Sequence, residues 1–129
     1  MKHNFTLTVT SLLSILFFTF HWVDEIARGM EPGTLSGFGG VLILVTWMYG
    51  TLVLADRRSG HIIMLVGGIL GLGVLVLHMR GAGLVGRRIA DTNGIFFWVL
   101  TLIALGTTSA FSAIVAAHGV WSLRSGQSR

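Results

Sequence analysis

The chain contains no cysteine, a single proline and few charges, and each shortage excludes something. Without cysteine there can be no disulfide, thiolate metal site or cysteine nucleophile. The one proline, Pro32, falls between two apolar runs, so the long runs are free of proline kinks. Charged residues make up 11% of the chain, against roughly a quarter in a soluble domain. The imbalance is basic, with nine Lys and Arg against five Asp and Glu and a formal net charge of +4. In a soluble protein that balance would suggest nucleic acid. Here the arginines flank apolar runs and no aromatic–basic cluster lies outside those runs. They read as topology signals and anchors to anionic lipid, and nucleic acid is not an expected partner.

What the chain has in excess is apolar length. Hydrophobic residues are 53% of the sequence and fall mainly into four runs: Phe5 to Val23, Leu35 to Ala55, Ile62 to Met79, and Gly94 to Leu123. A hydrocarbon core takes roughly 20 helical residues at about 1.5 Å each, and each run is near that length. The fold class expected is therefore all-α, with four transmembrane helices in an up-down-up-down bundle. The helices are expected at about 5–28, 35–55, 61–79 and 94–122, in one integral membrane domain spanning 1–129. The amino terminus has the positive start of a signal peptide. However, its apolar run is too long and ends in Phe20-His21-Trp22-Val23-Asp24-Glu25 rather than a small-residue cleavage site, so it reads as a retained helix.

Loop chemistry gives an orientation. Asp56-Arg57-Arg58-Ser59-Gly60 is short enough to make an antiparallel hairpin of the second and third helices. Even spacing puts Lys2, Arg57, Arg58, Arg124 and Arg129 on one side and Arg28, Arg80, Arg87 and Arg88 on the other. The tight arginine pair and the short Lys2 segment favour a bacterial cytoplasmic membrane with both termini cytoplasmic. Trp98 and Trp121 lie 23 residues apart, about 34 Å of helix, and are expected as interfacial anchors. Trp47 and Tyr49 lie inside the second run, where their polar atoms need protein partners. Gly67 and Gly71 on the third helix, with Ser109 and Ala113 on the fourth, are small-residue steps at which helices approach closely. They support a packed bundle or a homo-oligomer. No internal repeat supports an inverted-repeat transporter.

The strongest local constellation is His21, Asp24, Glu25 and Arg28, whose offsets of 0, 3, 4 and 7 share one helical face. The same face carries Phe18, Ser14 and Ser11 backwards along the helix. A polar seam through a membrane helix should face the bundle interior. One reading is a ligand, ion or proton site at the outer mouth, with His78 and Arg80 of the third helix assisting. The other, given more weight, is self-pairing at a helix end: Asp24 with Arg28 and His21 with Glu25.

Other motifs are weaker. His21 with His78 and His61 with His118 would sit at two depths, as a dihaem cytochrome needs, but they fall at helix ends rather than in the core. A metal site from His21, Asp24, Glu25 and His78 requires the first and third helices to touch, and no metal-binding motif supports one. Gly81-Ala82-Gly83-Leu84-Val85-Gly86 matches G-x-G-x-x-G but lacks the βαβ context of a dinucleotide site. No elbow or triad surrounds Thr101, Thr108 or Ser112. The sequence thus assigns no catalytic residue, metal ligand or cofactor. It reads as a non-enzymatic accessory, regulatory or structural membrane subunit, surrounded by lipid and joined to copies of itself or to a larger membrane complex. Small-ligand, ion or proton binding or transport is second, and a bis-histidine haem protein third.

Overall fold

In a computed structural model the described residues are 2–30, 37–81 and 93–126. Apolar, proline-free runs become helices: α1 (Lys2–Ala27), α2 (Gly37–Leu52), α3 (Arg58–Gly81) and α4 (Ile95–Gly126). There is no strand among the described residues. Three helices, α1, α3 and α4, are long and apolar enough to cross a membrane.

The second run departs from expectation. Of the stretch expected at 35–55, only the 16 residues Gly37–Leu52 are helical, about 24 Å. At its carboxyl end the cause is the hairpin. The Val53 and Leu54 amides both donate to the Tyr49 carbonyl, at 2.9 and 3.3 Å, and the Arg57 amide then donates to Leu54. A Cβ at Gly60 would collide with the Leu54 carbonyl and lie 2.9 Å from the Gly50 carbonyl oxygen. Glycine at 60 therefore lets the chain turn this tightly. The expected linker 56–60 shortens accordingly, because Arg58, Ser59 and Gly60 already belong to α3. The fourth helix runs longer than expected, to Gly126, and spans about 48 Å over its 32 residues.

α1 ends in a Schellman cap. Gly29 sits at φ +67°, its amide donates to Ile26 and the Met30 amide donates to the Glu25 carbonyl, both at 3.0 Å. The cap fixes the turn that carries Asp24, Glu25 and Arg28. The first link's Pro32, the glycine-rich stretch 82–92 with the remainder of G-x-G-x-x-G, and Arg87, Arg88 and Arg129 lie outside the described residues.

Most helix packing runs through α4, against α3 and against α1. Small residues make the α3–α4 approach possible. A Cβ at Gly68 would lie 2.9 Å from the Ser109 carbonyl oxygen and 3.1 Å from the Ala113 side chain, and Gly71 faces Ser109 and Leu105. Gly67 does something else: it faces the Trp47 ring of α2. The expected step Gly67–Gly71 thus serves two neighbours, one on each side of α3.

The polar seam of α1 turns inward, as its spacing requires. Ser11, Ser14 and His21 are buried. Thr51 donates to the Trp47 carbonyl at 2.8 Å, which leaves its oxygen as the acceptor for the Ser11 hydroxyl at 2.8 Å. Ser11 in turn accepts the Trp47 indole N–H at 2.8 Å. Trp47 is 2% exposed and so meets the expectation of a protein partner, whereas Tyr49 is 52% exposed and does not.

Candidate functional site

At the end of the bundle where α1 and α3 finish and α4 begins, three side chains converge. Glu25 Oε1 lies 3.0 Å from His78 Nε2 and 3.7 Å from His21 Nε2. One ligand-type atom from each residue lies within 4.8 Å of the others. His21 is 2% exposed, while His78 and Glu25 are partly buried. α1 places His21 and Glu25 one turn apart on its inner face, and α3 brings His78 from its last turn.

Trp98 closes the inner side of this cluster. Its ring lies 4.4 Å from the His21 ring and 5.4 Å from the His78 ring, and the two imidazoles meet edge to face at 5.0 Å. Trp98 is 0% exposed, so the interfacial anchor expected at this position is instead a wall of the site. Trp121, by contrast, is 77% exposed. Thr101 supplies the hydroxyl nearest the His21 Nδ1, at 3.5 Å.

Asp24 and Arg28 stand beside the cluster as a pair of their own. The Arg28 Nε donates to Asp24 Oδ2 at 2.9 Å, its Nη2 donates to the Asn93 carbonyl at 3.3 Å, and its guanidinium carbon lies 5.7 Å from the centre of the Trp98 ring. Both expected self-pairs are therefore present, Asp24 with Arg28 at 2.9 Å and His21 with Glu25 at 3.7 Å. The second is shared, because Glu25 lies nearer to His78 across the bundle than to His21 on its own helix. Arg80 is exposed on the last turn of α3 and makes no ion pair among the described residues.

Glu25 has no lysine or arginine partner among the described residues; both its partners are histidines. A carboxylate so placed can share one positive charge with the two imidazoles. The geometry also bears on haem. Two imidazoles 5.0 Å apart with Trp98 against both leave no slot between them for a planar porphyrin. The second histidine pair does not form a counterpart. His61 is buried against Gly119, with its Nδ1 3.0 Å from the Arg57 carbonyl. His118 is exposed and lies 3.4 Å from Ser122 on its own helix.

Two surface pockets lie away from the cluster. One, about 330 Å³, is an apolar groove between α2 and α3 beside Trp47 and Gly67. The other, about 460 Å³, lies at the opposite end between Arg58 of α3 and Trp121 and Arg124 of α4. Trp98, a wall of the cluster, sits where its sequence position points to an anchor. Its offset of three from Thr101 on an inward face was the available signal, and its place at a run's edge outweighed it. No family model, curated protein or solved structure matches this chain.

Proposed function

We propose that this is an integral membrane protein whose four helices run up-down-up-down, and that it binds a cation at His21, Glu25 and His78. Its role is that of a small regulatory or accessory component that responds to the cation, rather than of an enzyme. The observation that carries the reading is the convergence of two imidazoles from different helices on one carboxylate oxygen, at 3.0 and 3.7 Å, with no lysine or arginine beside it among the described residues. Isolated charge is expensive inside a membrane protein and persists where it has a partner or a task. The pairing joins α1 to α3, two helices whose main packing is against others, so occupancy of the site would couple their ends.

The apolar lengths of α1, α3 and α4 support the membrane setting. The shorter α2 fits the same slab with its ends at the headgroups, because a short span is accommodated at modest cost by local thinning. We place both termini on the cytoplasmic side, by Arg57, Arg58 and Arg124, and the cation site on the outer side of a cytoplasmic membrane. Self-association, or assembly with a larger complex, is the expected setting for such a component.

The test is a thermal-shift panel on the full chain in detergent, with monovalent and divalent cations. At least one cation should raise the midpoint of the natural chain and leave Glu25→Gln unchanged. Equal shifts in both proteins, or none in either together with histidine environments unaffected by Glu25→Gln, would remove the reading.

A further inference from the structure

The hydrogen bonds on the far side of each imidazole decide which kind of cation the cluster fits. His78 Nδ1 lies 2.8 Å from the Val74 carbonyl oxygen. A carbonyl can only accept, so Nδ1 carries a hydrogen, and in the neutral ring Nε2 is left with a bare lone pair. That lone pair points at Glu25 Oε1 from 3.0 Å. Two electron-rich atoms do not rest at that distance unless a positive centre, a proton or a metal ion, lies between them.

His21 repeats the arrangement from the opposite helix. Thr101 has one hydroxyl hydrogen, and the Phe97 and Trp98 carbonyls, at 2.9 and 3.1 Å, take it. Toward His21 Nδ1, Thr101 therefore offers an acceptor, though at 3.5 Å a long one. That leaves His21 Nε2 as the lone-pair atom. It is buried and has no hydrogen-bond partner among the described residues, and the Glu25 carboxylate is 3.7 Å away. Both rings thus donate outward from Nδ1 and present Nε2 inward. This is how metal-bound histidines are held, with a carbonyl or other oxygen behind the ring fixing tautomer and orientation.

We infer that the cation is a divalent first-row transition metal ion of the zinc class, bound by His21 Nε2, His78 Nε2 and one Glu25 carboxylate oxygen. The inference rests on the reading of this cluster as a cation site. The donor set makes the selection. Calcium takes six to eight oxygens and magnesium keeps an octahedron of oxygens, and this cluster offers one carboxylate. Two imidazoles and a carboxylate suit zinc, iron, nickel or copper, and the absence of cysteine removes thiolate competition. The spacing agrees. Bonds of about 2.0–2.1 Å at tetrahedral angles put ligand atoms about 3.3 Å apart. The two separations to Glu25 of 3.0 and 3.7 Å bracket that edge. A ring nitrogen of each histidine also lies within 4.8 Å of one of the other. Three protein ligands leave a fourth position for water or a further ligand. Asp24 is not among them, because it is held by Arg28.

The experiment uses the full chain in detergent, stripped of metal and then given Zn²⁺, Co²⁺ or Mg²⁺. Native mass spectrometry should give one Zn²⁺ per chain and none retained from Mg²⁺. Co²⁺ should give visible absorption bands whose intensity reports the coordination number. Glu25→Gln and His78→Ala should each weaken Zn²⁺ at least about tenfold, in line with the loss of a ligand or its support. His118→Ala, at the exposed histidine, should leave affinity unchanged. Because His21 is buried and its replacement could unfold the bundle, the decisive variant is the isosteric Glu25→Gln, with its helicity checked by circular dichroism. Zn²⁺ binding equal in the natural chain and Glu25→Gln would overturn the site. Absence of both Zn²⁺ and Co²⁺ binding would overturn the metal. In that case, a change of the His78 side-chain nitrogen resonances on Glu25→Gln would leave the cation site standing with a proton as its occupant. No change would remove both.

Discussion

Glu25 and His78 are 53 positions apart in the chain and 3.0 Å apart in the fold, and they tie the end of α1 to the end of α3. The two helices otherwise pack chiefly against α4 and α2. The contact should therefore be separable from the rest of the bundle. In a thermal denaturation cycle, Glu25→Gln and His78→Ala should each destabilise the metal-free protein. Together they should do so by less than the sum. A hydrogen bond to a charged group that is partly exposed implies a coupling of about 1 kcal/mol. Strict additivity would mean that the two side chains do not meet.

The buried triangle of Ser11, Trp47 and Thr51 makes a prediction of a different kind. Ser11→Ala removes the acceptor of the Trp47 indole N–H and the donor to Thr51 in one step. Interhelical hydrogen bonds in membranes average about 0.6 kcal/mol, and a buried donor left unsatisfied costs about 1–3. The loss should fall toward the upper figure. Trp47→Phe in the Ser11→Ala background should recover part of it, since no donor is then stranded. Failure of that recovery, measured by thermal midpoint, would argue that packing rather than the hydrogen bond holds α1 to α2.

The same triangle shows how much was legible in the sequence. The 3-4 spacing from Ser11 to Arg28 fixes one face of α1, and a polar face in an apolar helix has one energetically acceptable direction. Ser11, Ser14 and His21 are buried accordingly. What spacing could not give is the partner. Thr51 meets Ser11 and His78 meets Glu25 because of how helices rotate about their axes, and rotation depends on where small residues let neighbours in. Trp98 makes the point. An indole at the edge of an apolar run reads as an anchor, yet α4 turns it between two imidazoles and Tyr49 is left outside. The end of α2 was hidden for a related reason. Val53, Leu54 and Ala55 are as apolar as the helix before them, and nothing in their pattern shows the tight turn that Gly60, close against the Leu54 carbonyl, permits.

Glycines on α3 supply an internally controlled comparison. At Gly71 an added methyl group would meet Ser109 and lie 3.2 Å from the Leu105 side chain, whereas at Gly73 nothing lies within 4 Å. Helix propensity alone favours alanine over glycine by about 1 kcal/mol at either position. Gly73→Ala should therefore be neutral or stabilising. Gly71→Ala should forfeit that gain and destabilise by about 1–3 kcal/mol, as overpacking does. Melting of the two variants side by side checks this, and equal behaviour would mean that α3 and α4 do not approach at Gly71.

The absence of cysteine turns the proposed orientation into a direct measurement, because each introduced thiol is the only one in the chain. Arg28 reaches the Asn93 carbonyl, so Met30 and Asn93 lie at one end of the bundle. Gly60 against Leu54 and Arg58 with Ser125 around one pocket put Ser59 and Ser125 at the other. In intact cells a membrane-impermeant maleimide should label Met30→Cys and Asn93→Cys and leave Ser59→Cys and Ser125→Cys unlabelled until the membrane is opened. The reverse pattern would invert the protein and place His21, Glu25 and His78 on the cytoplasmic side. Labelling of Met30→Cys, Ser59→Cys and Ser125→Cys, but not of Asn93→Cys, would mean that the 16-residue α2 does not cross. The chain would then span the membrane with α1, α3 and α4 alone.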